Sequence, residues 1–324
     1  MASGRAERRS GEFELIAELF APLSKNAPGA FGLTDDAAVL APPAGHELVL
    51  KTDATVEGVH FFRSDPPGDV ARKALRVNLS DLAAKGAVPV GYLMALLLPD
   101  WPDMAWLRAF ADGLAADQAA FGLSLMGGDT SATPGPLAIS ISAFGHVPAG
   151  AMIRRAGARP GDLVFVSGTI GDAGAGLVAL KEERTAPELV ARYRVPQPRL
   201  ALGPMLRGIA SASLDVSDGL MADLGHIAQV SKVRIEVAAA QIPLSGALRA
   251  LWGAEAAVRA AVAGDDYEIA FTAPASRRAD VANAAARSGV AVAEIGRVIA
   301  GEGAVLLDAS GREIAIAQSG YTHF

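Results

Sequence analysis

The chain has 324 residues, 51% of them apolar and 20% charged, with a formal net charge of −6 and no cysteine. That length suggests two domains with ample material for a core. The acidic balance argues against a nucleic-acid surface, and the missing cysteine excludes disulfides, thiolate metal sites and a cysteine nucleophile. Phosphate ligands stay open, because bound divalent cations invert the local charge.

In chain order, MASGRAERRS is polar and basic, and no apolar signal segment follows it. Ser10 then reads as the N-cap of a short amphipathic helix carrying Phe13, Ile16, Leu19 and Phe20. A glycine turn at Gly32 leads through Asp35-Asp36 to a strand expected over Ala37–Leu40. Leu48–Leu50 reads as a short buried strand that opens at Thr52-Asp53 into a loop containing His60. Asp69 caps a helix that runs past Asp81, where small and apolar neighbours turn the carboxylate toward protein.

Val90–Leu98 is the most apolar run; it stops at Pro99, too short to span a bilayer, so no membrane segment and a cytoplasmic location are expected. Asp103 caps a helix with Trp106, Phe110 and Leu114 on one core-facing stripe. Leu123–Met126 reads as a strand ending in Gly127-Gly128-Asp129, and Ala138–Val147 alternates like a half-buried strand. Pro148-Ala149-Gly150 is the expected boundary between a domain over 1–148 and one over 149–324.

In the second half, Leu163–Val166 is a strand leading into GTIGDAGAGL. This glycine-rich turn has neither the P-loop nor the dinucleotide spacing, so tight strand–helix packing explains it best. Val195–Arg199 is an extended, proline-bearing linker. A strand ends near Asp215, and a helix with Leu220, Leu224 and Ile227 begins near Asp218, which reads either as that helix's N-cap or as a ligand. Asp265-Asp266 precedes a strand over Ile269–Phe271, and the tail from Ala275 reads helix, strand over Val290–Ile295, turn, strand.

Asp36, Asp53, Asp81, Asp129, Asp215 and Asp218 thus fall at strand ends, glycine turns and helix starts beside apolar residues. Buried unpaired carboxylates are costly, so this set calls for Lys/Arg partners or divalent metals. Oxygen ligands without cysteine and with few histidines select Mg2+ or Mn2+, which typically also coordinate substrate phosphates. The residues alone leave phosphoryl chemistry on a nucleotide and scattered structural caps as alternatives.

The segments TDATVEGVHF, KALRVNLSDLAAKGA, GGDT, RAGARPGD, LDVSDGLMADLGHI, GDDYE and GYTHF, in this order, resemble the thiamine-monophosphate kinase family over about Gly11 to Phe324. That family belongs to the superfamily of aminoimidazole ribonucleotide synthetase, selenophosphate synthetase and a hydrogenase-maturation protein. The resemblance implies two α/β domains (α+β in their layering). The N-terminal domain would bind metal and ATP and pair its sheet in a homodimer. The C-terminal α/β domain would close the active-site cleft.

The activity implied is transfer of the ATP γ-phosphate to thiamine monophosphate, giving thiamine diphosphate, with several Mg2+ ions bridging phosphates. By position, Asp36, Thr52, Asp53, Asp81, Asp129, Asp215 and Asp218 correspond to magnesium ligands. Gly128, Arg155 and Ser217 correspond to ATP contacts, and His60 to a substrate contact. No covalent nucleophile is implied, because phosphoryl transfer needs positioning and charge neutralisation.

The chain departs from the family pattern at three places. Asp265 stands where a substrate-contacting glutamate is usual, Gln318 where a substrate-contacting tryptophan is usual, and Lys51 where a small hydroxyl residue is common. The absence of cysteine argues against the selenophosphate and hydrogenase-maturation branches. A metal-dependent nucleotide phosphohydrolase and a non-enzymatic nucleotide-binding regulator remain the competing functions.

Overall fold

A computed structural model describes residues 11–316 and 319–321. These fall into two compact units. One takes the described residues up to Ala44 with Leu50–Asn78 and Pro89–Gly145; the other takes Gly45–Val49, Leu79–Val88 and the described chain from His146 on. Both carry sheets and helices, the α/β class expected.

The chain starts with α1 (Glu12–Leu15), a π turn over Ile16–Phe20 and a 3-10 turn over Ala21–Ser24. Leu19 and Phe20 are buried, but Phe13 is 84% exposed, so it does not share their face; Ser10 lies outside the described residues. Ala37–Leu40, expected as a strand, is irregular, with Val39 N–H donating to the Gly29 carbonyl (2.8 Å) instead of to a ladder.

A four-stranded sheet has the order β1 (His46–Val56), β4 (Ala138–Pro148), β2 (Val88–Leu98), β3 (Ser124–Ala132). Successive side chains in a strand point to opposite faces. One face is core: Ile139, Ile141 and Ala143 of β4 are buried with Tyr92, Met94 and Leu96 of β2. The other face is open and carries Leu50, Leu93 and Leu97, which are 66%, 38% and 37% exposed. Two strands run longer than their sequence suggests. β1 continues through Thr52-Asp53 to Val56, and β3 continues through Gly127–Asp129 to Ala132. The motif aspartates therefore sit within strands rather than in loops after them.

α2 (Pro67–Ala84) and α3 (Met104–Phe121) carry this unit's principal buried ion pair. Arg76 grips Asp117 with two hydrogen bonds, Nε–Oδ2 2.7 Å and Nη2–Oδ1 2.8 Å, a bidentate geometry that fixes both partners. Asp103 caps α3 as expected, accepting from Trp106 N–H (2.8 Å). Asp69 lies inside the first turn of α2 and is not its cap.

The second unit is built on a six-stranded mixed sheet. Its order is β10 (Gly303–Leu307), β7 (Arg234–Ala238), β9 (Val292–Ile299), β5 (Asp162–Ser167), β8 (Ile269–Pro274), β6 (Ala212–Asp215). β10 and β7 are parallel, and the remaining neighbours are antiparallel. Val164, Val166, Leu214 and Ile295 from the sheet meet Leu220, Leu224 and Ile227 of α6 (Leu220–Ser231) in one apolar cluster. Each such side chain contributes about 1.5–3 kcal/mol on full burial.

α4 (Asp172–Lys181) and α5 (Pro187–Arg194) pack together. A Cβ on Gly171, which has φ +89°, would come within 2.5 Å of the Ala260 Cβ, so the glycine-rich turn serves close packing, as its sequence suggests. α7 (Gly246–Trp252), α8 (Ala256–Val262) and α9 (Arg278–Ser288) complete the unit. Among the described residues no helix is long and apolar enough to cross a membrane.

Candidate active site

In the second unit, β6 delivers Asp215 to its C-terminal end, where the residue is 7% exposed. The turn Val216–Gly219 follows and interlocks with the GDDYE segment. Asp265 N–H donates to the Ser217 carbonyl, Tyr267 N–H to the Val216 carbonyl, and Val216 N–H to the Glu268 carbonyl, each at 2.8 Å. Asp265 and Tyr267 both take left-handed backbone, φ +68° and +53°, a conformation that costs non-glycine residues on the order of 1 kcal/mol or more each. Tyr267 Oη donates to Asp265 Oδ1 at 3.2 Å.

Asp218 is not the cap of α6. That role falls to Asp223, one turn into the helix, whose Oδ2 accepts from the N–H groups of Ser217, Asp218 and Gly219 at 3.0–3.1 Å. The Asp218 carboxylate is thereby left for other work; Ser217 Oγ lies 3.4 Å from its Oδ1. Burial first, and the Asp218 charge second, push the Asp223 carboxyl up to about 7. Asp218, Asp223 and His226 each present a ligand atom, all within 4.8 Å of one another. Among the described residues neither Asp218 nor Asp223 forms an ion pair with a lysine or arginine, and a divalent cation suits two carboxylates this close.

The other two acids of GDDYE are structural. Fully buried Asp266 accepts from Gly171 N–H (2.6 Å) and Ala173 N–H (3.2 Å), so the N–H groups at the start of α4 are already taken by an internal carboxyl group. Burial raises its pKa well above the ordinary range. Glu268, also fully buried, is gripped by Arg192 (2.8 Å), by Arg199 through Nε and Nη2, and by Ser167 Oγ (2.6 Å). Asp81, on the last turns of α2, is half-buried. Arg155 is exposed in irregular chain before β5, and Gln318 lies outside the described residues.

In the first unit, Asp36 is exposed, and among the described residues its carboxylate accepts no hydrogen bond. Asp53 faces Lys51 two residues back along β1, with Nζ–Oδ1 3.1 Å. Thr52 points to the opposite, open face. Its hydroxyl donates to the Ile141 carbonyl (3.2 Å) and accepts from Ser142 Oγ (3.0 Å), leaving one lone pair. Asp129 pairs in register with Ala95 and accepts from Ser131 Oγ (3.0 Å), so it too lies on the open face. Gly128 is required beside it, because a Cβ there would fall 1.9 Å from the Met94 carbonyl oxygen. His60 Nδ1 accepts from Val56 N–H (3.0 Å), which puts the neutral imidazole's proton on Nε2.

The sequence reading missed Asp223 and His226. Their signal was a D-x-x-H spacing at the start of α6, which puts both on one helix face three residues apart.

Comparison with known families places a chain with this arrangement among the AIR synthase-type proteins. The family model described as AIR synthase related protein, N-terminal domain, matches residues 34–147, and its C-terminal domain counterpart matches 159–308. The thiamine-monophosphate kinase of Caulobacter vibrioides is 44% identical over 96% of this chain and 90% of its own length. A crystal structure of thiamine-monophosphate kinase from Stenotrophomonas maltophilia K279a has a TM-score of 0.80 at 41% identity, covering 87% of this chain and 91% of that one. AaThiL complexed with AMPPCP and TMP has a TM-score of 0.78 at 33% identity, covering 91% and 97%. The chain belongs to the thiamine-monophosphate kinase family, a family of phosphotransferases.

Proposed function

We propose that this protein transfers the γ-phosphoryl group of ATP to thiamine monophosphate, forming thiamine diphosphate by direct in-line attack with Mg2+. The observation that carries the reading is full-length relatedness to thiamine-monophosphate kinases, including a neighbour complexed with AMPPCP and TMP, together with carboxylates that the fold leaves accessible.

We assign magnesium binding to Asp36, Thr52, Asp53, Asp81, Asp129, Asp215 and Asp218. Bound there, the ions would neutralise the phosphate charge that develops during transfer. The chain's own residues bind and orient. Gly128 and Ser217 offer close backbone and a hydroxyl to the nucleotide, and Arg155 offers a fork of donors suited to phosphate. His60 and Asp265 take the acceptor side, with Asp265 held at its strained φ by the Ser217 carbonyl and Tyr267 Oη. The acceptor phosphate is largely ionised near neutrality, so no strong general base is needed. Residues 1–148 and 149–324 would be the two functional domains of a cytoplasmic homodimer. Leu50, Leu93 and Leu97 on the open sheet face support such pairing, since exposed apolar rows favour a partner.

The test is a coupled assay of ATP consumption across a panel of phosphate acceptors. Magnesium-dependent turnover that requires thiamine monophosphate and yields the diphosphate is expected. Hydrolysis of ATP without an acceptor would favour a phosphohydrolase, and nucleotide binding without turnover would favour a regulator.

A further inference from the structure

A cavity of about 490 Å3 opens in the second unit, where the 3-10 turn Gly203–Leu206 meets one face of α9. Met205 and Ile209 supply apolar wall, and Arg207, Arg277, Asp280 and Arg287 supply charge. The volume lies in the range of small-molecule sites.

The charges do not cancel. Arg277 Nε lies 2.6 Å from Asp280 Oδ2, which closes one pair. Arg207 donates from Nε to the Pro204 carbonyl (3.0 Å), and its two terminal nitrogens have no hydrogen bond among the described residues. Arg287 makes neither a hydrogen bond nor an ion pair among the described residues. Two uncompensated guanidinium groups thus meet at one concavity in a chain whose formal charge is −6. The Arg207 charge also reaches His146, whose pKa is lowered by burial first, by His46 second and by Arg207 third.

The cavity is separate from the acidic turn. Asp215 pairs with Ile269 at the start of β8, whereas Arg277 follows Pro274 at its other end, about 17 Å away at the rise of a strand.

We propose that this cavity is a second anion site, for a small organic phosphate gripped by Arg207 and Arg287 with its apolar or ring body on Met205 and Ile209. Guanidinium forks match phosphate oxygens and carry their own charge, so the site needs no metal ion. This separates it from the magnesium-dependent phosphate chemistry proposed above, on which it does not rest.

The experiment is calorimetric titration of the full chain with phenyl phosphate in EDTA, repeated at higher salt. Saturable binding, one per chain, is expected, weakening as salt rises. Arg287→Met should weaken it at least about tenfold, the loss of one charge-assisted contact. Arg207→Met/Arg287→Met should abolish it, and Asp53→Asn should leave it unchanged. Arg287 is exposed, so the single variant tests the site without disturbing the fold. Absence of saturable binding to the wild-type chain, or equal binding by Arg287→Met, would overturn the proposal.

Discussion

The two units treat their motif carboxylates differently. In the second unit three are spoken for within the fold: Glu268 by two arginines and a serine, Asp266 by two N–H groups of the α4 start, Asp223 by three more. In the first unit Asp36 and Asp129 are exposed, and Asp53 pairs with Lys51 at a place about a third open to solvent. An acidic motif therefore mixes two kinds of residue. Those saturated by protein donors build the scaffold, and those left accessible are the ones a metal ion can complete. Asp218 is the second unit's instance of the accessible kind, released because Asp223 does the capping.

The largest effect should come from a saturated carboxylate. Glu268→Gln leaves Arg192 and Arg199 without their buried counter-charge, and a loss of about 3–5 kcal/mol is expected in denaturant unfolding. Loss of activity with unchanged stability would mean that Glu268 belongs with the accessible group. Asp53→Asn should do the reverse: a fall of about a hundredfold or more in turnover, comparable to losing one electrostatic contact in the transition state, with the melting temperature nearly unchanged.

Next in size is a pH effect. Asp223 has its folded pKa raised from 3.8 to about 7, so ionising it costs the native state more than the unfolded chain. In EDTA, its contribution should fall progressively from about pH 4 to pH 7 and stay lost above that. Asp223→Asn keeps an acceptor for the three N–H groups and should flatten this part of the stability profile. A profile identical to wild type would show that Asp223 is ionised in the fold at ordinary carboxylate pH. The smallest effect is expected from Lys51→Ser. The Lys51–Asp53 pair is about a third exposed, and such pairs are worth about 1 kcal/mol or less, so half-maximal Mg2+ should fall by no more than about fivefold.

Much of this arrangement was legible in the sequence because it rests on local pattern. Alternation over Ala138–Val147, the Asp103 cap and the Leu220, Leu224, Ile227 stripe are each set by residues a few positions apart. What was not legible depends on distant partners. β1 and β3 extend through their aspartates because neighbouring strands supply ladder partners there, which turns Thr52 and Asp53 to opposite faces. The structural roles of Asp266 and Glu268 depend on Gly171, Arg192 and Arg199, which the fold brings to them from far along the chain. Asp223 was overlooked because helix capping from within the first turn leaves no signal before the helix.

The most direct measurement is 31P NMR of the protein with ATP, thiamine monophosphate and Mg2+. The expected result is a new diphosphate signal that grows as the ATP γ-signal disappears, with ADP formed in equal amount and no change in the presence of EDTA. Growth of inorganic phosphate in place of the diphosphate signal, or transfer that continues in EDTA, would contradict the magnesium-assisted kinase reading.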